Sequence, residues 1–491
     1  MTLTTLFNFS FLYFLINWII RIVMFVVVPY RRSASAAYAW LLLILVFPIG
    51  GLILYILIGS PKLSNRRRQQ QKIIDQSMGE NIKQTHSQSR FSDILLPAVR
   101  ERYQSIATLN EHLGGLPVCG GNSCELLPDY YGSIDRIIED IDKAAIYVHL
   151  EYYIFSTDVT GSKMIDALGR AAGRGVKCRV LVDHIGSLFQ MNRLLIRLRA
   201  HGVEVHRMLP VDIMDNEWSR LDLRNHRKIV VIDGKVGYTG SQNIINSTYT
   251  DNKNDAVHLR YEELVVRVCG PVVLELLSIF MADWYSETSV LFTPENYPEI
   301  NLVPYIEGGV VAQVLPSGPG QDTENNKLLF ISLMHQAREK IVIVTPYFVP
   351  DQSLLDSLSI ASRRGIDVRL IVSGIGDQFI VEHAQRSYYG ELLEAGVHIH
   401  LFNPPVLLHA KTVSIDSEIA VIGSSNMDMR SFYLDLEVSM LFYDAGVVSR
   451  LRSIEESYFL RSKELDLLTW VKRPFLTKVL ENTTRMMSDV I

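Results

Sequence analysis

The sequence predicts an α/β protein of two homologous lobes, with mixed or parallel sheets flanked by helices and a pseudo-two-fold axis between them. A transmembrane helical hairpin is expected ahead of the lobes. Three observations predict this. The pattern H-x-K-x-x-x-x-D occurs twice, as His226-Arg-Lys228-Ile-Val-Val-Ile-Asp233 and His409-Ala-Lys411-Thr-Val-Ser-Ile-Asp416. Each copy is followed at a matching offset by Gly-Ser-x-Asn, at Gly240–Asn243 and Gly423–Asn426. Finally, strand, helix and Arg-Gly turn signals recur in the same order in both halves, and the amino-terminal end carries two long apolar runs.

The apolar runs come first along the chain. Residues 39–58 read AWLLLILVFPIGGLILYILI, twenty residues without a charge. At about 1.5 Å per residue that is roughly 30 Å of helix, enough to cross a bilayer. Pro48, Gly50 and Gly51 predict a kink or break in mid-span. The earlier run, about 6–28, contains Asn17 and Arg21; a central arginine costs about 2.5–3.5 kcal/mol, which its apolar neighbours outweigh. The basic excess at Lys62, Arg66, Arg67, Arg68 and Lys72 places the bulk of the chain on the cytoplasmic side of a cell membrane, beside anionic head groups.

The expected division is therefore 1–60 membrane hairpin (segments about 6–28 and 39–59) and 61–124 basic juxtamembrane linker and lead-in. The first lobe is expected over 125–300, with motif 226–233. The second is expected over 301–491, with motif 409–416 and a C-terminal amphipathic segment between 465 and 487. From 65 to about 88 the Arg/Gln/Ser-rich sequence reads as a tether with partial helix.

Within the lobes, the strand-like run 145–154 leads through a helical stretch (161–172) and Arg174-Gly175-Val176 to the strand 179–183. Lys340–Val349, the stretch 354–362, Arg364-Gly365-Ile366 and Val368–Val372 repeat that order. Strand–helix–strand alternation predicts parallel sheet with helices outside. The motifs read as strands, in which alternation puts His226 and Lys228 on one face and Arg227 on the other. Asp233 and Asp416 then fall where the strand turns back, so a turn role stands beside a chemical one.

Two histidines and two lysines at one site suit phosphodiester chemistry without a metal. One imidazole attacks phosphorus, the other protonates the leaving oxygen, and the ammonium groups hold the phosphate charge. No cofactor and no metal is expected. A net charge of −5 disfavours a nucleic-acid partner. Cys119, Cys124, Cys178 and Cys269 read as buried thiols. His149, His201, His206, His398 and His400 read as structural.

Both motifs are the signature of the phospholipase D superfamily, and the chain from about 125 to 480 resembles it. More narrowly it is similar to bacterial cardiolipin synthases of the A type, through the amino-terminal hairpin ending in Tyr55–Gly59, Asp183-His-Ile-Gly-Ser187 and Asn225-His-Arg-Lys-Ile229. Ser317-Gly-Pro319, Thr345-Pro-Tyr-Phe-Val-Pro350, Asn426-Met-Asp-Met-Arg-Ser431 and Trp470-Val-Lys-Arg-Pro474 carry it further.

The resemblance implies conversion of two phosphatidylglycerols to cardiolipin and glycerol through a phosphatidyl-histidine, at a bacterial inner membrane. His226 is then the nucleophile and His409 the acid/base. Lys228 and Lys411 are expected on the non-bridging oxygens, with Ser241, Asn243, Ser424 and Asn426 as neutral donors or turn caps. Glu263 and Glu437 are expected to fix the imidazole tautomers, with Glu262 a rival to Glu263. A membrane-bound phospholipase D hydrolase or a phosphatidylserine synthase-like transferase shares the same motifs, and a scaffold of degenerate repeats is disfavoured because both motifs are intact. The sequence leaves open a homo-oligomer.

Overall fold

The computed structural model describes residues 3–30, 34–59, 67, 69–70, 99–211, 220, 222–249, 259–291, 306–321 and 323–486. Apart from residues 67, 69 and 70, the tether expected over 65–88 lies outside them.

At the amino terminus a helix runs over Leu3–Val27. Its Ser10–Val27 stretch is apolar and long enough to cross a membrane, with a mean hydropathy of 2.1 and 11% of the stretch buried. The second apolar run is not one helix: it divides into Ala34–Val46 and Pro48–Ile58, parted at Phe47 (φ −126°, ψ 75°). Pro48 causes the break, since it lacks an amide hydrogen and restricts the residue before it. Arg21 donates from Nε and Nη2 to the Leu45 carbonyl at 3.2 and 3.0 Å, beside the break. The arginine that burdened the first run thus has a backbone acceptor in the second.

The lobes share one sheet. In the first lobe the strands are β1 (Cys119–Leu127), β2 (Tyr147–Tyr152), β3 (Lys177–Asp183), β4 (Glu204–Met208), β5 (Arg224–Asn225), β6 (Ile229–Ile232), β7 (Val236–Gly240), β8 (Arg260–Glu262) and β9 (Val265–Cys269). The second lobe opens with β10 (Val310–Ser317), β11 (Lys340–Thr345), β12 (Phe348–Val349), β13 (Asp367–Ser373) and β14 (His398–Phe402). It continues through β15 (Val406–Leu408), β16 (Thr412–Ile415), β17 (Ile419–Gly423), β18 (Met427–Asp428), β19 (Asp435–Phe442) and β20 (Ser462–Glu464).

Outward from the centre the first lobe runs β1, β9, β7, β6, β2, β3, β4; the second runs β10, β19, β17, β16, β11, β13, β14, with β20 added at the edge. The orders match strand for strand, and β1 meets β10 antiparallel at the seam, as a two-fold requires. The sheet begins at Cys119, ahead of the boundary expected at 125. The helix Gln104–Gly114 also belongs to the body: Asn110 Nδ2 donates to Gln313 Oε1 of β10 at 3.4 Å.

Along the strand order of the large sheet, parallel pairing is confined to β2–β3–β4 and β11–β13–β14; three short pairs off that path, β12–β18, β8–β15 and β5–β19, are also parallel. The sheet is mixed, because each motif strand returns through a short turn and a short link permits only antiparallel neighbours. The inner parallel strands are the most buried, β2 along its whole length and β11 from Ile341 onward, as strands covered on both faces must be. Duplicated local signals place their helices. Asp158 caps Val159–Gly173 through Gly161 N, and Asp351 caps Gln352–Arg363 through Leu354 N. Gly175 (φ 90°) and Gly365 (φ 88°) supply the left-handed residue that ends each helix. One apolar cluster spans the seam around Phe280, Trp284, Val314 and Val438, and one fills each lobe.

Candidate active site

The residues leading into each motif histidine pair with the opposite lobe. β5, just before His226, runs parallel to the start of β19 (Arg224 opposite Asp435); β15, just before His409, runs parallel to β8 (Leu408 opposite Glu262). His226 N donates to Leu436 O at 2.9 Å, and His409 N to Glu262 O at 2.7 Å. The next residue on each opposing segment is a glutamate, and it meets the histidine. His226 Nδ1 lies 2.9 Å from Glu437 Oε1, and His409 Nδ1 lies 2.8 Å from Glu263 Oε1. A carboxylate acceptor on Nδ1 fixes the tautomer with the proton there and leaves Nε2 a lone pair. No described group bonds either Nε2. Glu262, the rival acid, points elsewhere and pairs with Arg461 at 2.5 Å.

Lys228 and Lys411 repeat the symmetry: each Nζ donates to the carbonyl of its own motif histidine, at 2.6 and 2.7 Å. Both ammonium groups are buried and free of a direct carboxylate ion pair among the described residues. Desolvation lowers Lys228 to about 7, and Lys411 lowers it further; desolvation likewise lowers Lys411 to about 8. Burial also dominates the histidines, taking His226 down to about 4 and His409 below its ordinary value against the pull of their glutamates. Despite burial, Glu263 is held down to about 2 by His409, and Glu437 is lowered by His226. The resting site is therefore two neutral imidazoles on two carboxylates, beside two buried lysines of which Lys411 depresses Lys228.

Arg227 points away from Lys228, as alternation predicts, into a buried ion pair with Asp283 while Nε donates to Glu437 O at 3.0 Å. The residues 226–228 and 409–411 are extended links, with β6 and β16 starting only at Ile229 and Thr412.

The serines brace the glutamates. Ser424 Oγ donates to Glu437, and Ser241 Oγ contacts Leu264 O at 3.2 Å while receiving Leu264 N at 2.9 Å. Asn243 Oδ1 accepts Ile154 N at 3.1 Å, and its Nδ2 donates to Tyr249 Oη at 3.2 Å. Asn426 is buried, with an Oδ1 that no described group bonds.

Asp233 and Asp416 stay out of this cluster. Asp233 carboxylate oxygens accept the amides of Ala145, Ile146 and Tyr147 at 2.8–2.9 Å. Asp416 accepts those of Arg338, Glu339 and Lys340, and pairs with Arg102. Both have positive φ (52° and 51°), at the far end of the motif strand, about 20 Å of extended chain from the histidine. The turn reading accounts for both.

Three tyrosine rings surround His409: Tyr249, Tyr261 and Tyr347, with ring centroids at 6.1, 5.7 and 6.4 Å. Tyr249 Oη donates to Glu263 at 2.8 Å; Tyr261 and Tyr347 both donate to Asp377, at 3.0 and 2.7 Å. On the His226 side Tyr153 packs edge-on at 5.1 Å. Sequence reasoning missed these aromatics. Tyr347 lies in the Thr-Pro-Tyr-Phe-Val-Pro run, but nothing marks Tyr249 or Tyr261 in the primary structure.

Fold and site together define a duplicated two-histidine protein of the phosphodiester-transferring class. The family model described as cardiolipin synthase, phospholipase D-like domain, matches residues 137–284 and 330–458. The chain is 35% identical over 491 residues to cardiolipin synthase A of Proteus mirabilis (strain HI4320), covering 98% of each. It is 33% identical over 464 residues to cardiolipin synthase A of Serratia proteamaculans (strain 568), covering 94% of each. In fold it is similar to the crystal structure of phosphatidylserine synthase from Haemophilus influenzae Rd KW20, with a TM-score of 0.59 at 15% identity, covering 79% of this chain and all of that one. The chain belongs to the cardiolipin synthase family of phospholipase D-like proteins.

Proposed function

We propose that the protein is a membrane-bound phosphatidyltransferase that makes cardiolipin and glycerol from two phosphatidylglycerol molecules. The observation that carries the chemistry is the pair of crossed His–Glu dyads, each with Nε2 open, set among two buried lysines. In the first half-reaction neutral His226 Nε2 attacks phosphorus; the phosphorus–nitrogen bond forms as the bond to the glycerol oxygen breaks. His409, protonated once an anionic phosphodiester enters and raises its pKa, gives that oxygen its proton. In the second, neutral His409 takes the proton of the acceptor's hydroxyl, whose oxygen displaces the histidine from phosphorus.

Lys228 and Lys411 leave their carbonyl acceptors for the non-bridging oxygens, where desolvation makes each charge more effective. Ser241, Ser424 and Asn243 support the site by fixing the glutamates and the tyrosine around them, and Asn426 faces the phosphate as a neutral donor. The basic residues after the second apolar run, Lys62 to Lys72, support two passes of the membrane with the catalytic body in the cytoplasm.

The test is turnover of phosphatidylglycerol vesicles by the reconstituted protein without added metal, with lipid products resolved by mass spectrometry. Cardiolipin plus glycerol is expected, and is lost in His226→Ala and His409→Ala. Phosphatidic acid as the main product would make water the acceptor and overturn the transferase reading.

A further inference from the structure

The segments after β3 and β13 are equivalent under the pseudo-two-fold, and each exposes a phenylalanine: Phe189 in the turn before the helix Met191–Ala200, Phe379 at the first position of the helix Phe379–Ala395. Phe189 is 99% exposed with Leu188 at 47% beside it; Phe379 is 63% exposed with Ile380 at 38%. An isolated apolar side chain on a surface needs no explanation, but matching pairs at equivalent positions of two diverged lobes do.

Both segments are tied to the catalytic pocket. Ser187 Oγ donates to Tyr153 O at 3.1 Å, and Tyr153 is the ring packed on His226. Phe189 follows two residues later. Asp377 holds Tyr347 and Tyr261, two of the rings around His409, and Phe379 follows two residues later. Each phenylalanine thus lies two residues from a group bonded to a tyrosine that packs on one motif histidine. Arg193, exposed in the first turn of the helix Met191–Ala200 and without an acidic partner among the described residues, adds a cation near Phe189.

The tether lands on the same edge. Arg67 pairs bidentately with Glu287 at 2.5 and 2.8 Å, and Glu287 accepts the amide of Leu209, directly after the carboxyl end of β4. The carboxyl ends of β2, β3 and β4 all open on the pocket side. From Gly59, the end of the second apolar run, to Arg67 the chain can span at most about 28 Å. The membrane segments therefore hold the pocket edge of the body, not its opposite face, within that reach of the bilayer.

We propose that the Leu188–Phe189 turn and the Phe379–Ile380 helix start insert into the surface of an anionic phospholipid bilayer. They seat the catalytic mouth on the membrane, so that one lipid enters past each segment. This rests on the reading of the substrates as membrane phospholipids. Two apolar wedges with a flanking arginine suit the interface between head groups and acyl chains. The pocket behind them is buried, so a lipid that reached it through water would expose its chains on the way.

The experiment uses the full-length protein reconstituted in vesicles of phosphatidylglycerol and phosphatidylcholine. Phe189→Cys, Phe379→Cys and, on the opposite end of the body, Ile360→Cys are labelled with nitrobenzoxadiazole, with wild-type labelling subtracted. A blue shift and rise in emission relative to detergent-free nanomolar protein in bulk buffer is expected at 189 and 379 but not at 360. No shift at 189 and 379, or an equal shift at 360, overturns the proposal. In a second arm, Phe189→Ser/Phe379→Ser is expected to lose at least tenfold in turnover of vesicle phosphatidylglycerol while keeping its rate on dispersed short-chain phosphatidylglycerol. Equal loss on both substrates, or none on either, overturns it as well. A wild type that turns over neither substrate would sink the catalytic reading instead, and the fluorescence arm would still decide the docking.

Discussion

His226 of the first lobe shares its Nδ1 proton with Glu437 of the second, 211 residues away, at 2.9 Å. His409 and Glu263 make the reciprocal contact at 2.8 Å. Neither lobe contains a complete catalytic dyad, so the site exists only when the two are assembled. Glu437→Gln and Glu263→Gln keep the volume and a neutral acceptor but remove the negative charge that favours a protonated imidazole. Each is expected to lower kcat by about 10²-fold or more while leaving KM near its wild-type value, since general acid–base terms are of that size. Steady-state kinetics of the two variants checks this; a loss confined to KM would mean that the glutamates bind substrate.

That crossing also marks where the sequence stopped being legible. The duplication, the α/β class and both histidines follow from spacing alone. Glu437 and Glu263 could be singled out, but as acids downstream of each motif, which suggests partners within one half. Only the seam between β1 and β10 turns them across. Whether the sheets are mixed or parallel stayed open because period-two alternation identifies a strand without giving its neighbour's direction. Tyr249 and Tyr261 were invisible for a related reason: they reach His409 through tertiary packing, and no local pattern encodes that.

Asp233 is a structural anchor, and its loss is expected to show in stability. Its carboxylate satisfies three amides at the start of β2, at 2.8–2.9 Å. Stranding a buried amide costs about 1–3 kcal/mol, so Asp233→Ala is expected to lower the thermal midpoint by several degrees. It also forces alanine to a positive φ. Asp233→Asn, which keeps an acceptor and tolerates that conformation, is expected to recover part of the loss. Melting followed by circular dichroism, with kcat measured on the folded protein, separates the roles: kcat within about twofold of wild type is the expected result, and a hundredfold fall with unchanged melting would return Asp233 to the chemistry.

The lysines set an alkaline limit. Burial takes Lys228 to about 7 and Lys411 to about 8, so each is charged below that pH and neutral above it. In the free enzyme the phosphate-binding charge is therefore expected to fade as pH rises through 7–8, and kcat/KM to fall with it. Bound phosphodiester favours the ammonium form, so the corresponding limb of kcat is expected at higher pH. An arginine stays charged throughout this range. If Lys228→Arg retains activity, its kcat/KM limb should move up by about one pH unit, to that of Lys411 near 8; an unmoved limb would assign it to another group.

Tyr249 makes the two dyads unequal. Its hydroxyl donates to Glu263 at 2.8 Å, whereas Glu437 is braced by the Ser424 hydroxyl. A hydrogen bond to a buried carboxylate contributes about 1.5–3 kcal/mol, and part of that acts on the placement of His409. Tyr249→Phe is expected to lower kcat by about tenfold with little change in KM. Because Glu263 supports His409, the variant should also shift the pH profile of kcat, which a purely packing role would leave in place.

The same inequality argues for distinct tasks. His226 is driven down to about 4 by burial, which keeps it neutral and nucleophilic at any working pH. Glu263, held to about 2, is the firmer anion and suits a partner that must carry a proton between half-reactions. With a phosphatidyl donor whose leaving group is p-nitrophenol, no acid is needed to expel it. His409→Ala is then expected to release one equivalent of nitrophenol rapidly and to stall as a phosphatidyl-enzyme, trapped with labelled lipid by a denaturing detergent quench at mildly alkaline pH, where the phosphorus–nitrogen bond survives. His226→Ala is expected to give neither burst nor adduct. The reverse pattern would exchange the two roles while leaving the crossed geometry intact, and an adduct in both variants would mean that each imidazole can attack phosphorus when its partner is gone.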